Sequence, residues 1–187
     1  MSSSRFNFNS FNFSSYPSSH DNGHVERVLK LALYIAEREG AEIEVVRKAA
    51  ELHDIARDKP NHAIEGAKLA REILRREGYS EDFIEKVTHC IEAHSFSSGV
   101  KPRTLEAKVL SDADKLDAIG AIGVARAFLY SGERGRSIED TLKHFEEKLL
   151  KLKDLMETET GRRLAEKRHA FLVEFYERLK EELRGDF

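Results

Sequence analysis

The stretch LEAKVLSDADKLDAIGAIGVARAFLY, residues 105–130, decides how the chain must fold. Its apolar positions include Val109, Leu110, Ala113, Leu116, Ile119, Ile122, Val124, Ala125, Phe128 and Leu129, and they cover nearly the whole circumference of a helix. A helix that is apolar all round sits at the centre of its domain. Three aspartates, Asp112, Asp114 and Asp117, fall inside this stretch. A buried carboxylate is costly unless it is paired, hydrogen-bonded or bound to a metal. At about 100° per residue, Asp112 and Asp114 point about 200° apart, so at most one of them faces a common site. Asp114 and Asp117, three apart, share a face.

Working outward, the flanking segments are amphipathic. Upstream, Val25, Val28, Leu29, Ala32, Leu33, Ile35 and Ala36 follow the 3.6-residue period and end at Gly40. A second helix is predicted over about 42–55, broken by Asp58-Lys59-Pro60-Asn61. A third runs from about His62 to Glu77, and Ser80-Glu81-Asp82 caps a fourth that reaches about His94. Downstream, after the loop SGERGR, two long charged helices are predicted over about 137–157 and 159–184. Convincing strands are absent, so the expected fold is all-α, a helical bundle with long C-terminal helices. The expected division is a tail over 1–19, a core over 20–130 and a helical extension over 131–187 packed on that core.

The first 19 residues, MSSSRFNFNSFNFSSYPSS, do not match the rest. This polar-aromatic, low-complexity composition favours a disordered tail, with an edge strand, a tag or an altered reading frame as alternatives.

Composition bounds the partners. The chain has 187 residues, 31 Lys+Arg against 34 Asp+Glu, and a formal charge of −3, which excludes a basic protein built to coat nucleic acid. One cysteine, Cys90, excludes an internal disulfide and points to the cytoplasm. No apolar run approaches the roughly 20 residues that a membrane helix needs. The expectation is a protein with neither a membrane nor a nucleic-acid partner, and with a possible homodimer surface on the C-terminal helices.

Six of the eight histidines fall between His20 and His94. His53 is followed directly by Asp54, and adjacent helix residues can reach one ion only near a helix end, which the break at 58–60 supplies. Imidazole with carboxylate suits first-row divalent metals such as Mn, Fe, Co, Ni or Zn. The lack of nearby cysteines argues against a closed structural zinc site.

These motifs resemble the HD superfamily of metal-dependent phosphohydrolases. His24, then His53-Asp54, then Asp114 follow its H…HD…D order. HDNGHVERV at 20–28, AAELHDIARDK at 49–59 and LSDADKLDAIGAIGVARAF at 110–128 are similar to a microbial branch of predicted HD hydrolases, as is the tail at 144–168. Where that branch has a helix before His20-Asp21, this chain has its Phe/Asn/Ser stretch.

The resemblance implies one divalent ion, or two, drawn from Mn, Fe, Co, Ni, Mg and Zn. His24, His53, Asp54 and Asp114 would hold the first. His62 and His94 fit positions that some HD enzymes use for a second, while His89, five residues before His94, points elsewhere. Asp112 is expected to cap or hydrogen-bond, and Asp117 to orient a ligand. The catalytic expectations are Asp58 for proton transfer and Lys59 and Lys115, with Arg126, against phosphate charge. The implied substrate is a phosphorylated small molecule. A nucleotide is favoured, cleaved to monophosphate and pyrophosphate or as a phosphomonoester. The alternative is a regulatory module that binds a nucleotide or metal without turnover.

Overall fold

The computed structural model describes residues 23–95 and 98–186, and the expected tail over 1–19 and the His20-Asp21 segment lie outside the described residues. Eight α-helices and no strand occur among the described residues, so the fold is all-α. The first four are α1 (His24–Glu39), α2 (Ile43–Leu52), α3 (His62–Arg76) and α4 (Glu81–Ala93). They are followed by α5 (Leu105–Asp117), α6 (Gly120–Glu133), α7 (Ile138–Glu147) and α8 (Glu159–Arg184), with a 3-10 helix over Leu149–Leu155 before the last.

Local chemistry sets most boundaries. α1 buries Val28, Ala32, Ile35 and Ala36 on one stripe and ends at Gly40, whose left-handed backbone turns its N–H onto the Ala36 carbonyl. Ser80, Thr104, Ser137 and Thr158 each accept a backbone N–H at the start of α4, α5, α7 and α8. Such caps stabilise a helix start by about 1 kcal/mol each.

α5 lies at the centre, packed against α1, α2, α4, α6 and α8. Val109, Leu110, Ala113 and Leu116 on it are fully buried, as are Ile35, Ile84 and Ile91 around it. Burying one such side chain is worth about 1.5–3 kcal/mol.

The single helix expected over 105–130 is in fact two. α5 is capped at Ala118, Ile119 is extended (φ −126°, ψ 169°), and α6 starts at Gly120 with φ 75°. Gly123 makes the corner possible, because a Cβ there would lie 2.2 Å from the Ala118 carbonyl oxygen. An all-apolar pattern does not reveal such a break, and the pattern overstates the burial of the second half: Ile122 and Leu129 on α6 are exposed.

The helix expected over 137–157 is also divided. It leaves α geometry at Lys148 and continues as the 3-10 helix, where Leu149 and Leu152 are both buried. Residues three apart eclipse one another in a 3-10 helix, so this spacing puts both leucines on one side. α8 then runs back across α5 and α6, with Phe145 of α7 stacked against its Phe175 and Tyr176.

Candidate metal centre

Four histidines stand at helix ends, and the bundle brings those ends together. His24 is the first residue of α1 and His62 the first of α3, while His53 and His94 follow the last residues of α2 and α4. Asn61 precedes His62 in a left-handed conformation (φ 55°) that asparagine tolerates better than most residues. The rings form a chain of edge contacts, His24 to His53 at 5.3 Å, His53 to His94 at 5.1 Å and His94 to His62 at 5.4 Å.

Hydrogen bonds orient three of the rings. His53 Nδ1 donates to the Ala50 carbonyl at 2.8 Å, and His94 Nδ1 donates to the Ile91 carbonyl at 2.6 Å. His24 Nδ1 donates to Asp117 Oδ2 at 2.8 Å. In the neutral imidazole this leaves each Nε2 as a bare lone pair. His24 Nε2 and His53 Nε2 nevertheless approach to 3.3 Å. Asp114 Oδ1 and Asp54 Oδ2 lie 3.4 and 3.5 Å from the same His24 Nε2.

Lone pairs and carboxylates repel one another unless a proton or a cation lies among them. With bonds of roughly 2.0–2.2 Å, neighbouring donors around one ion sit roughly 2.8–3.6 Å apart, so this donor set fits a divalent metal. Two triads result, His24/His53/Asp114 and Asp54/His62/His94, the ligand atoms within each lying within 4.8 Å of one another. Asp54 stands between them. Its Oδ2 faces His24, and its Oδ1 faces Arg57.

In the metal-free chain a proton takes the ion's place. Burial opposes charge on His24, but its hydrogen bonds to Asp114 and Asp117 outweigh that and raise its pKa to about 9. Burial works against ionisation of Asp114, yet His24 and the other histidines hold its carboxyl well below the usual carboxylate range. Burial, followed by the neighbouring His53 ring, keeps His94 low, and burial followed by the Arg57 guanidinium keeps His62 low.

Asp117 is itself gripped. Arg27 Nε donates to its Oδ1 at 2.7 Å, and Arg126 Nη1 and Arg27 Nη2 donate to its Oδ2 at 2.6 and 3.0 Å. Burial opposes its charge, and hydrogen bonds from His24 and Arg27 overcome that, lowering its pKa to about 2. A carboxylate on the far nitrogen of a ligating imidazole fixes its tautomer and direction.

The structure therefore brings together His24, His53, Asp54, Asp114, His62 and His94. Asp58 and Lys59 lie exposed on the turn after His53, outside both triads. Lys115 Nζ donates to Ser111 Oγ at 2.5 Å, and Ser111 in turn donates to the His94 carbonyl. Arg126, read from the sequence as a phosphate partner, is engaged with Asp117. His89 faces away and accepts the Arg103 N–H. Arg57 and Arg27 escaped the sequence reading. Arg57, three residues after Asp54, carried a weak signal as an i,i+3 pair, whereas Arg27 and Asp117 meet only through the fold.

An all-helical bundle that gathers a His/Asp cluster at converging helix ends fits the HD-domain proteins, and the chain belongs to that family. The HD domain profile matches residues 23–119. The chain is 39% identical over 177 residues to the Bacillus subtilis protein YpgQ, covering 90% of this chain and 86% of that protein. The crystal structure of YpgQ in complex with ADP superposes with a TM-score of 0.77 at 36% identity, covering 92% of this chain and 94% of the other. An HD-superfamily hydrolase from Bacillus thuringiensis superposes with a TM-score of 0.72 at 37% identity, covering 88% and 87%. No helix among the described residues is long and apolar enough to cross a membrane.

Proposed function

We propose that the chain is a metal-dependent phosphohydrolase acting on a nucleotide. The proposed products are a nucleoside monophosphate and pyrophosphate, or the products of phosphomonoester cleavage. The observation that carries this reading is the convergence of His24 Nε2, His53 Nε2, Asp54 Oδ2 and Asp114 Oδ1 on one point. The ADP seen bound to YpgQ supports a nucleotide ligand for this related chain.

His24, His53, Asp54 and Asp114 would hold the ion, which lowers the pKa of bound water and polarises a phosphoryl oxygen. Asp117 keeps the His24 proton on Nδ1, so that Nε2 stays a donor of electrons to the site. His62 and His94 would hold a second ion or receive substrate. Asp58, four residues after Asp54, is the carboxylate proposed to take and return a proton, and Lys59 and Lys115 would offset phosphate charge. The site belongs in this reading to a core over 20–130, with 131–187 an extension of it.

The test is product release from a panel of nucleoside triphosphates, diphosphates and phosphomonoesters with Mn²⁺, with Asp54→Ala beside the wild type. Metal-dependent turnover that the variant lacks is the expected result, and phosphate against pyrophosphate names the bond cleaved. Full metal binding without turnover on any member of the panel would replace this reading with that of a binding module.

A further inference from the structure

The second triad already has an occupant. Arg57 Nη1 lies 3.4 Å from Asp54 Oδ1 and 3.4 Å from His62 Nε2. A guanidinium only donates, so its contact to His62 is with the Nε2 lone pair, the electron pair a metal would take. Its contact to Asp54 is with the carboxylate oxygen that does not face His24. One guanidinium nitrogen thus sits against two of the three donor groups of the Asp54/His62/His94 triad.

The position of Arg57 is set by the turn that follows the His53-Asp54 pair. The Arg57 N–H donates to the Asp54 carbonyl at 3.0 Å, which returns the side chain over its own i−3 neighbour. Both contacts at 3.4 Å are long for charge-assisted hydrogen bonds, and the side chain is 40% exposed. The guanidinium therefore acts mainly through its charge and volume. A monovalent cation fixed there repels a divalent ion from the same donors. It leaves the His24/His53/Asp114 triad untouched.

We propose that Arg57 sets the number of metal ions, standing in for a second cation against Asp54 and His62 and holding the centre to one. The inference rests on the metal-dependent reading above and decides between its two roles for His62 and His94. In the wild type these histidines are left to meet substrate or water.

The experiment strips the full chain with chelator, dialyses it against Mn²⁺ and counts bound manganese by elemental analysis. Electron paramagnetic resonance then reads exchange coupling between paired ions. The expected result is one Mn²⁺ per chain in the wild type and two, with a coupled-pair spectrum, in Arg57→Gln. Arg57→Lys, which keeps the charge, should bind one, and the double variant Arg57→Gln/His62→Ala should return to one. Two ions in the wild type, one ion in a folded Arg57→Gln, or two in Arg57→Lys would each overturn the proposal. These counts do not depend on turnover. Bound manganese at the wrong number removes only the role of Arg57, whereas no bound ion in any of the proteins overturns the metal-dependent reading as well.

Discussion

Asp112 and Asp114 are two residues apart on the same buried helix, and their surroundings have little in common. Asp112 accepts the Glu157 N–H at 2.9 Å, the Thr158 N–H at 2.8 Å and the Thr158 hydroxyl at 2.7 Å. Gly161 comes so close that a Cβ there would lie 2.3 Å from Asp112 Oδ2. Every donor at the entry to α8 has an acceptor, and the carboxylate ties α8 to the middle of α5. On the other face, Asp114 joins a crowd of acceptors that satisfy one another only when a proton or a metal lies among them. A buried carboxylate with enough donors builds the fold, and one with too many acceptors around it builds a site.

Substitutions on the two faces should separate these roles. The largest effect belongs to Asp54→Ala, which should reduce metal-dependent turnover by more than the roughly 10–100-fold that loss of an outer partner costs, while thermal melting stays near that of the wild type without metal. Asp112→Ala should do the reverse. It strands two backbone N–H groups and a hydroxyl, at a cost of about 3 kcal/mol, read as a fall in Tm of roughly 6–12 °C with bound manganese unchanged. A loss of metal in Asp112→Ala without loss of stability would break the comparison.

Metal removal should bring out a pH dependence that the loaded protein lacks. The folded-state pKa of His24, about 9, lies above its ordinary 6.5, so its interaction with Asp114 and Asp117 stabilises the metal-free chain fully below pH 6.5 and fades as pH rises through 9. Melts of chelator-treated protein should therefore lose about 3 kcal/mol of stability between those limits. With metal bound the proton is displaced and this slope should vanish. The smallest effect is expected from Asp117→Asn, which keeps the shape but removes the negative charge facing His24, Arg27 and Arg126 and should weaken manganese binding about 10–100-fold by titration calorimetry. An unchanged affinity would show that Asp117 serves only the packing of α1, α5 and α6.

Much of this contrast can be read in the sequence. The angle between Asp112 and Asp114 on a helix already places them on different faces, and Pro60 after His53-Asp54 marks the helix end where both can reach one point. The corner at Ala118–Ile119 was hidden, because an all-apolar pattern looks the same whether the helix continues or turns. The 3-10 segment was hidden too, since a run of leucines and lysines suits either helix type. Arg57 resembled any charged residue on an exposed turn, and its importance depends on where His62 stands.

The sequence by itself determined the all-α class, the helices outside 105–130 and 137–157, the histidines that stand at their ends and the family order of the ligands. These are local properties, governed by periodicity, caps and residues three or four apart. Only the tertiary structure decided that His24 and Asp117, 93 residues apart, share a hydrogen bond, that α8 starts on Asp112 and that Arg57 covers the second triad. Such contacts depend on how α1, α2, α4 and α5 pack, and the packing is fixed by the burial of the whole core rather than by any one stretch of chain.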